Sequence, residues 1–155
     1  MNFRVFGLPL ASFSPLFELD DQHLAAAGGV RRIVDASPGF PCRVSLRDAQ
    51  LGETVLLVNF EHLAVASPYR SRHAIYVREN ASEYQPSVNE IPDVLQRRLL
   101  SVRVFDQAGM MIDADVVAGV NVARTIRRHL GLPNSAYLHL HNAKPGCFAA
   151  RVERA

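Results

Sequence analysis

Lysine is nearly missing from this chain. Lys144 is the only one, so of 17 basic residues the other 16 are arginine. A guanidinium grips carboxylate or phosphate through a rigid planar fork, which an ammonium cannot do. The bias therefore has two readings: the base composition of the gene, or arginines that hold an anion. A large excess of either charge is missing as well. A net charge of +2 gives no case for a general nucleic-acid or membrane-surface binder. Cysteine is scarce, with Cys42 and Cys147 far apart. Met1–Leu10 lacks the apolar run and small-residue cleavage site of an export signal, so both are expected as free thiols. No apolar run reaches the roughly 18 residues of a membrane-spanning helix. The expectation is a cytoplasmic protein without a membrane partner. Neither G-x-G-x-x-G nor a P-loop occurs, and no Gly-x-Ser-x-Gly elbow, which removes the usual phosphate-cradling loops and the standard serine hydrolases. Repeats, low-complexity tracts and linkers are absent too, and 155 residues read as a single domain, 1–155. That length buries enough surface to build a core without metals or disulfides.

The chain alternates short apolar segments with turn residues. Phe3–Phe6 reads as a strand, and Ser14-Pro15 opens a helical turn with Pro at the first helical position. Asp20 is placed to cap a helix over Asp21–Ala27, stopped by Gly28-Gly29. Val30–Asp35 follows as a strand, then the stiff Ser37–Arg43 connection with its two prolines and a glycine. Within Glu53–Phe60 the continuously apolar Val55–Val58 predicts a central strand buried on both faces. Glu61–His73 is rich in polar residues and reads as a loop, Ala74–Arg78 as a strand, and Glu79–Asn89 as a polar connection. Pro92 opens a short helix through Gln96.

Leu99–Val116 is the clearest hairpin. A three-residue loop, Gln107–Gly109, pairs Phe105 with Met111, Val104 with Ile112, Arg103 with Asp113 and Val102 with Ala114, and puts Gly109 where that loop needs a left-handed residue. Asn121–Leu130 is the best helix, with Val122, Ala123, Ile126 and Leu130 on one face and Arg127, Arg128 and His129 at its negative end. Strands outnumber helices and do not alternate with them as in a doubly wound fold. The expected class is α+β: a mostly antiparallel, curled sheet, with a half-open barrel as an allowed form, and two or three short helices.

The last hairpin, Tyr137–Glu153, concentrates the chemically capable side chains: His139, His141, Asn142, Cys147 and Arg151. His139 and His141 point to one face of a strand, about 7 Å apart by the strand rise. Two such histidines can share a metal, but tetrahedral zinc needs a further ligand, for which Cys147 or Cys42 is the candidate. If the connecting loop has an odd length, Tyr137, His139, His141, Cys147, Ala149 and Arg151 share a face, while Leu138 and Leu140 meet Phe148, Ala150 and Val152. This segregation of polar from apolar favours the odd loop; Asn142–Gly146 is preferred over Lys144–Gly146 because Pro145 disfavours the helical conformation at Lys144. The bland alternative is a wet face with ordinary polar residues. Cys42 beside Arg43 is a second candidate, a thiolate favoured by the adjacent guanidinium, with His62, His139 or His141 as the base a nucleophilic cysteine requires. Against it stands a cysteine buried as a small hydrophobe. A third group, Tyr69, Arg70, Arg72, His73 and Arg78, could receive an anion or form a solvated loop.

Several phrases together resemble a known family. They are Pro38-Gly-Phe-Pro-Cys-Arg43, Leu46-Arg-Asp-Ala49 with Gly52-Glu53, Pro68-Tyr-Arg70, Ile75-Tyr-Val-Arg78, and His139-Leu-His-Asn-Ala143 with Gly146-Cys147 and Arg151. The chain resembles the bacterial family named domain of unknown function 1203 over nearly its whole length. The resemblance implies a stand-alone domain with Cys42, Arg43, Arg70, Arg78, His139, Asn142, Cys147 and Arg151 at motif positions. It also implies that Arg can replace His141, which pulls this face from zinc toward a cationic pocket. The leading expectation is thus a small-anion-binding domain, or an enzyme. Arg43, Arg70, Arg78, His141, Asn142 and Arg151 would hold the ligand, with Cys42 and His139 as catalytic candidates and no cofactor. The alternatives are a zinc site of His139, His141 and Cys147, and an interaction protein with no small-molecule site. Substrate and oligomeric state are open.

Overall fold

The computed structural model describes residues 1–155. Its strands are β1 (Phe3–Phe6), β2 (Gly29–Ile33), β3 (Thr54–Leu63), β4 (Ser71–Arg78), β5 (Leu99–Phe105), β6 (Met111–Ala118), β7 (Tyr137–Asn142) and β8 (Phe148–Arg154). Its helices are α1 (Ser14–Phe17), α2 (Asp21–Ala26), α3 (Asp93–Gln96) and α4 (Val122–Leu130). The strands form two antiparallel sheets, a large one ordered β1-β8-β7-β5-β6 and a small one ordered β2-β3-β4. The α+β class of mostly antiparallel strands holds. The strands divide into two open sheets instead of curling into one half-open barrel. No helix is long and apolar enough to cross a membrane.

Local chemistry sets the elements. The Asp20 carboxylate accepts from the His23 backbone N–H at 2.8 Å, capping α2, and Gly28 follows the helix with φ 78°. The apolar face of α4, Val122, Ile126 and Leu130, packs on one face of the large sheet: Val102 and Val104 of β5, Leu138 and Leu140 of β7, Ala150 and Val152 of β8. Burying each larger aliphatic side chain there contributes about 1.5–3 kcal/mol. A second core joins the small sheet (Leu56, Val58, Ile75, Val77) to Phe13 and Leu24. Val55 and Val58 are buried, as expected of the central strand of its sheet.

Gly119 begins the short 3-10 turn that leads into α4. A Cβ there would lie 1.9 Å from the Leu95 carbonyl oxygen and 2.7 Å from that of Gln96. Backbone cannot yield as a side-chain tip can. Gly119→Ala is therefore expected to cost at least about 3 kcal/mol, the upper end of overpacking penalties. A urea titration of the variant measures it, and a loss below about 1 kcal/mol would contradict the fit.

Three sequence expectations are corrected. The stretch Glu61–His73 is not one loop, since β3 runs to Leu63 and β4 starts at Ser71, so His62 and His73 stand on strands. In the β5–β6 hairpin Phe105 faces Met111 as expected, but the register then shifts, putting Val104 opposite Asp113, Arg103 opposite Ala114 and Val102 opposite Asp115. The edge strand β6 is mostly exposed, so burial does not enforce its alternation there. The last hairpin has the expected parity along its body, with His139 opposite Arg151 and Leu140 opposite Ala150. Its register then shifts, placing His141 opposite Phe148, and the Asn142 N–H donates to the Cys147 carbonyl at 2.9 Å. The enclosed segment is Ala143–Gly146, an even-length loop where an odd one was expected.

Candidate functional site

The face of β5, β7 and β8 turned away from α4 is polar. Across it Arg103, His139 and Arg151 form one row, and Ser101, His141 and Phe148 form the next. Two register irregularities aim side chains into this face. In β3 the pairing jumps between Glu61 and Leu63, leaving His62 as the unpaired residue. In β8 Ala149 is skipped, which swings Phe148 to the histidine side and sends Ala149 into the core beneath α4. Bulges re-aim side chains in this way beside functional sites.

Four histidines meet there. The Nδ1 atoms of His62 and His139 lie 3.4 Å apart, and His73 Nδ1 is 2.6 Å from His62 Nε2. The His62 and His73 rings are within 11° of parallel with centroids 4.7 Å apart. With so short a nitrogen contact, this is an in-plane hydrogen bond between two edge-on rings. His141 Nδ1 is 3.0 Å from the Gly146 carbonyl, so that nitrogen carries the proton. In the neutral ring His141 Nε2 is then a bare acceptor, and it is buried with no partner. Phe148 stacks on His62 with centroids 4.8 Å apart and closes the cluster. Burial is the first cause that holds these rings neutral. It pushes His62 down to about 4, helped by His73 and Arg103, and His141 down to about 3, helped by Arg103. His139 and His73 are lowered as well, again chiefly by burial.

His73 also lines a cavity of about 670 Å³ between the small sheet and the Asn142–Cys147 turn. Arg43, Arg97, Arg98, Lys144, Asn142 and Cys147 border it, with Leu57, Ala74, Tyr76 and Leu99 as apolar wall, and no carboxylate lines it. Arg43 is buried. Its Nε donates to the Phe148 carbonyl at 2.7 Å, Nη1 to the Pro41 carbonyl, and Nη2 to the Cys147 sulfur at 2.9 Å. Burial pulls its pKa down, the Cys147 and Cys42 sulfurs oppose that, and Arg98 adds to it. Asp48, outside this cavity, holds Arg98 bidentately at 2.5 and 3.2 Å.

The residues singled out from the sequence fall into separate places. Arg43, Asn142 and Cys147 meet at the cavity. His139 and His141 meet His62 in the cluster. Cys147 stands beside Asn142, Nδ2 to Sγ 3.6 Å, and is not part of the histidine group. The third ring of that group is His62, where a cysteine was expected. Cys42 is buried among Val44, Leu56, Ile75 and Val77, with its sulfur 3.3 Å from the Arg78 backbone N–H, so the bland reading of this thiol fits. Arg70 is exposed and paired with Glu61 at 2.5 Å. Arg78 is held by Glu53 at 2.6 Å and borders a second, mixed-charge cavity of about 490 Å³. Arg151 pairs with Glu153 at 2.6 Å and lies over the Tyr137 ring. The structure thus does not bring Cys42, Arg70 and His139 together.

Arg97, Arg98, Lys144 and Arg103 were not singled out, and His62 and His73 had only minor roles. For the histidines a signal existed. Leu56, Val58, Phe60 and His62 continue one period-two series, and His73, Ile75 and Val77 another.

Among known proteins, the family described as "Protein of unknown function (DUF1203)" matches residues 39–154. No curated protein and no solved structure matches the chain.

Proposed function

The chain belongs to the DUF1203 family of proteins of unknown function, and we propose that it acts as a binding domain for a small anion with a compact apolar body. The observation that carries this reading is the lining of the larger cavity: Arg43, Arg97, Arg98 and Lys144 border it and no Asp or Glu does. Its volume of about 670 Å³ suits a small-molecule ligand. A carboxylate or phosphate is the matching chemistry: the side chains of Arg97 and Lys144 make no hydrogen bond to the protein and are free to contact it, while Arg43 and Arg98, whose forks are committed to the Phe148, Pro41 and Cys147 groups and to Asp48, add fixed positive charge. The apolar wall of Leu57, Tyr76 and Leu99 would cover the ligand's body.

The only lysine of the chain stands at this cavity with no salt bridge of its own, so it can be changed without stranding a partner. Calorimetry with inorganic phosphate and with benzoate is the test. One of them is expected to bind, and Lys144→Ala to weaken it about 5- to 30-fold, the loss of a charge-assisted contact worth about 1–2 kcal/mol. Cys147 supplies a second reading. The bound anion should slow its alkylation by iodoacetamide, whereas Cys42 is buried and stays silent. Absence of binding by both probes at millimolar concentration, or binding indifferent to Lys144→Ala with unprotected Cys147, overturns the proposal.

A further inference from the structure

We propose that His62, His139 and His141 form a site for one divalent first-row transition-metal ion, with zinc the best match to the donors. The three rings come from two sheets, His62 from β3 and the others from β7, and their ligand atoms all lie within 4.8 Å of one another. The His62 and His139 nitrogens, at 3.4 Å, already sit near the spacing of two ligands on tetrahedral zinc, about 3.3 Å for metal–nitrogen bonds of about 2.0–2.1 Å. The site is distinct from the anion cavity, which none of these three residues lines.

A second observation is independent of that spacing. His141 is fully buried and its Nε2 has no partner, while its other nitrogen is committed to the Gly146 carbonyl. A buried bare lone pair asks for a donor or a metal, and a carbonyl on the opposite nitrogen is the usual device that orients a ligating imidazole. His62 has the same support, since its Nε2 is bonded to His73 at 2.6 Å and its Nδ1 faces the site. Both rings are thus set by a second layer of partners before any ion arrives. An all-imidazole set without carboxylate or thiolate suits zinc, copper, iron or nickel, not calcium or magnesium. Three protein ligands leave a fourth coordination position open. Arg103 and Arg151 flank His139 and would oppose an unaccompanied dication, so the fourth ligand should be an anion such as hydroxide or a carboxylate.

The experiment uses the full tag-free chain, stripped with chelator and titrated with cobalt(II), then zinc(II). Expected are one equivalent of cobalt with the visible bands of a tetrahedral nitrogen site, displacement by zinc, and a melting temperature that rises with zinc. His62→Gln, at a position less buried than His139 or His141, should lower cobalt affinity by at least about 10- to 100-fold, the loss seen even for second-layer changes. His141→Gln should do the same, and exposed His23→Gln should change nothing. Sub-stoichiometric cobalt in the wild type, or an unchanged cobalt affinity in both His62→Gln and His141→Gln, overturns the assignment and leaves an ordered water as the partner of His141 Nε2. Phosphate or benzoate binding measured on the stripped protein is unaffected by that outcome, so the two proposals fail separately.

Discussion

Lowering the pH from 6.5 to 4.5 is expected to remove about 5 kcal/mol of stability from the metal-free protein. In the unfolded chain each histidine titrates near its ordinary value of about 6.5. In the fold His141 is pushed down to about 3 and His139 is also lowered, so both stay neutral where the unfolded chain is already protonated. The unfolded state then binds more protons, and stability rises with pH through this window by about 1.4 kcal/mol per unit for each such ring. Two rings over two units amount to the stated loss, a large part of the 5–15 kcal/mol, roughly, that holds a domain folded. His62 adds less because it is partly exposed and screened. The full contribution is present above about pH 6.5 and is lost as the pH falls toward about 3 to 4. The lowered carboxylates, Glu53 and Glu61 among them, begin to lose their contribution only as the pH nears their ordinary value of 4.5, so the slope between pH 6.5 and about 5 belongs to the histidines. Urea midpoints at half-unit steps from pH 7.5 to 4.5 measure the slope. A flat profile would mean the rings are not buried as described, and His139→Gln should remove about half of a real one.

Asp48→Asn should destabilise the protein by about 3–5 kcal/mol, the usual cost of stranding a buried ion-pair partner. The Asp48 side chain is buried, with 4% of its surface exposed, and it holds Arg98 through two hydrogen bonds while Arg97 stands at 3.8 Å. It ties the 39–50 segment to the chain just after α3. Without its charge, Arg98 would face the Arg43 guanidinium uncompensated at the same cavity. The same change should therefore tighten anion binding while it lowers stability, because the cavity gains a net positive charge. Paired urea melts and calorimetry on the variant read both effects. Equal stability would contradict the buried pair, and weakened anion binding would contradict the cavity's role.

What could be read from the sequence follows the apolar pattern. Val102, Leu140, Ala150 and the α4 face were legible because a strand or helix that buries one face repeats at its own period. The His139 and Arg151 rows were legible for the same reason, as the complement of that core. His62 and His73 carried only the faint signal of the period-two series they extend, and it was masked because a strand that carries polar residues into a buried polar site has the composition of a loop. Glu61, with Arg70 and Arg72 both paired to it, deepened that impression. The extra residues at His62, Ile112 and Ala149 were also hidden: each inserts one position into a ladder, and local pattern does not record it. The parity of the last hairpin was right along its body and wrong at its turn for this reason alone. The cationic cavity was out of reach, since Arg43, Arg97 and Lys144 are brought together by sheet packing between distant segments.

The pairing of β1 with β8 has a consequence for the order in which the chain is made. Phe3 and Val5 are fully buried, and β1 finds its partner only at Arg151–Arg154. On a ribosome adding about 5–20 residues per second, this apolar segment must wait roughly 10–30 seconds for the strand that shelters it. β2 need not wait as long, because β3 follows it closely. The small sheet can therefore assemble while the polypeptide is still growing, and the large one is completed only after β8 has been made. Nascent chains stalled before Phe148 should accordingly leave the first residues open to protease or to a holding chaperone, after the β2-β3-β4 unit has become resistant.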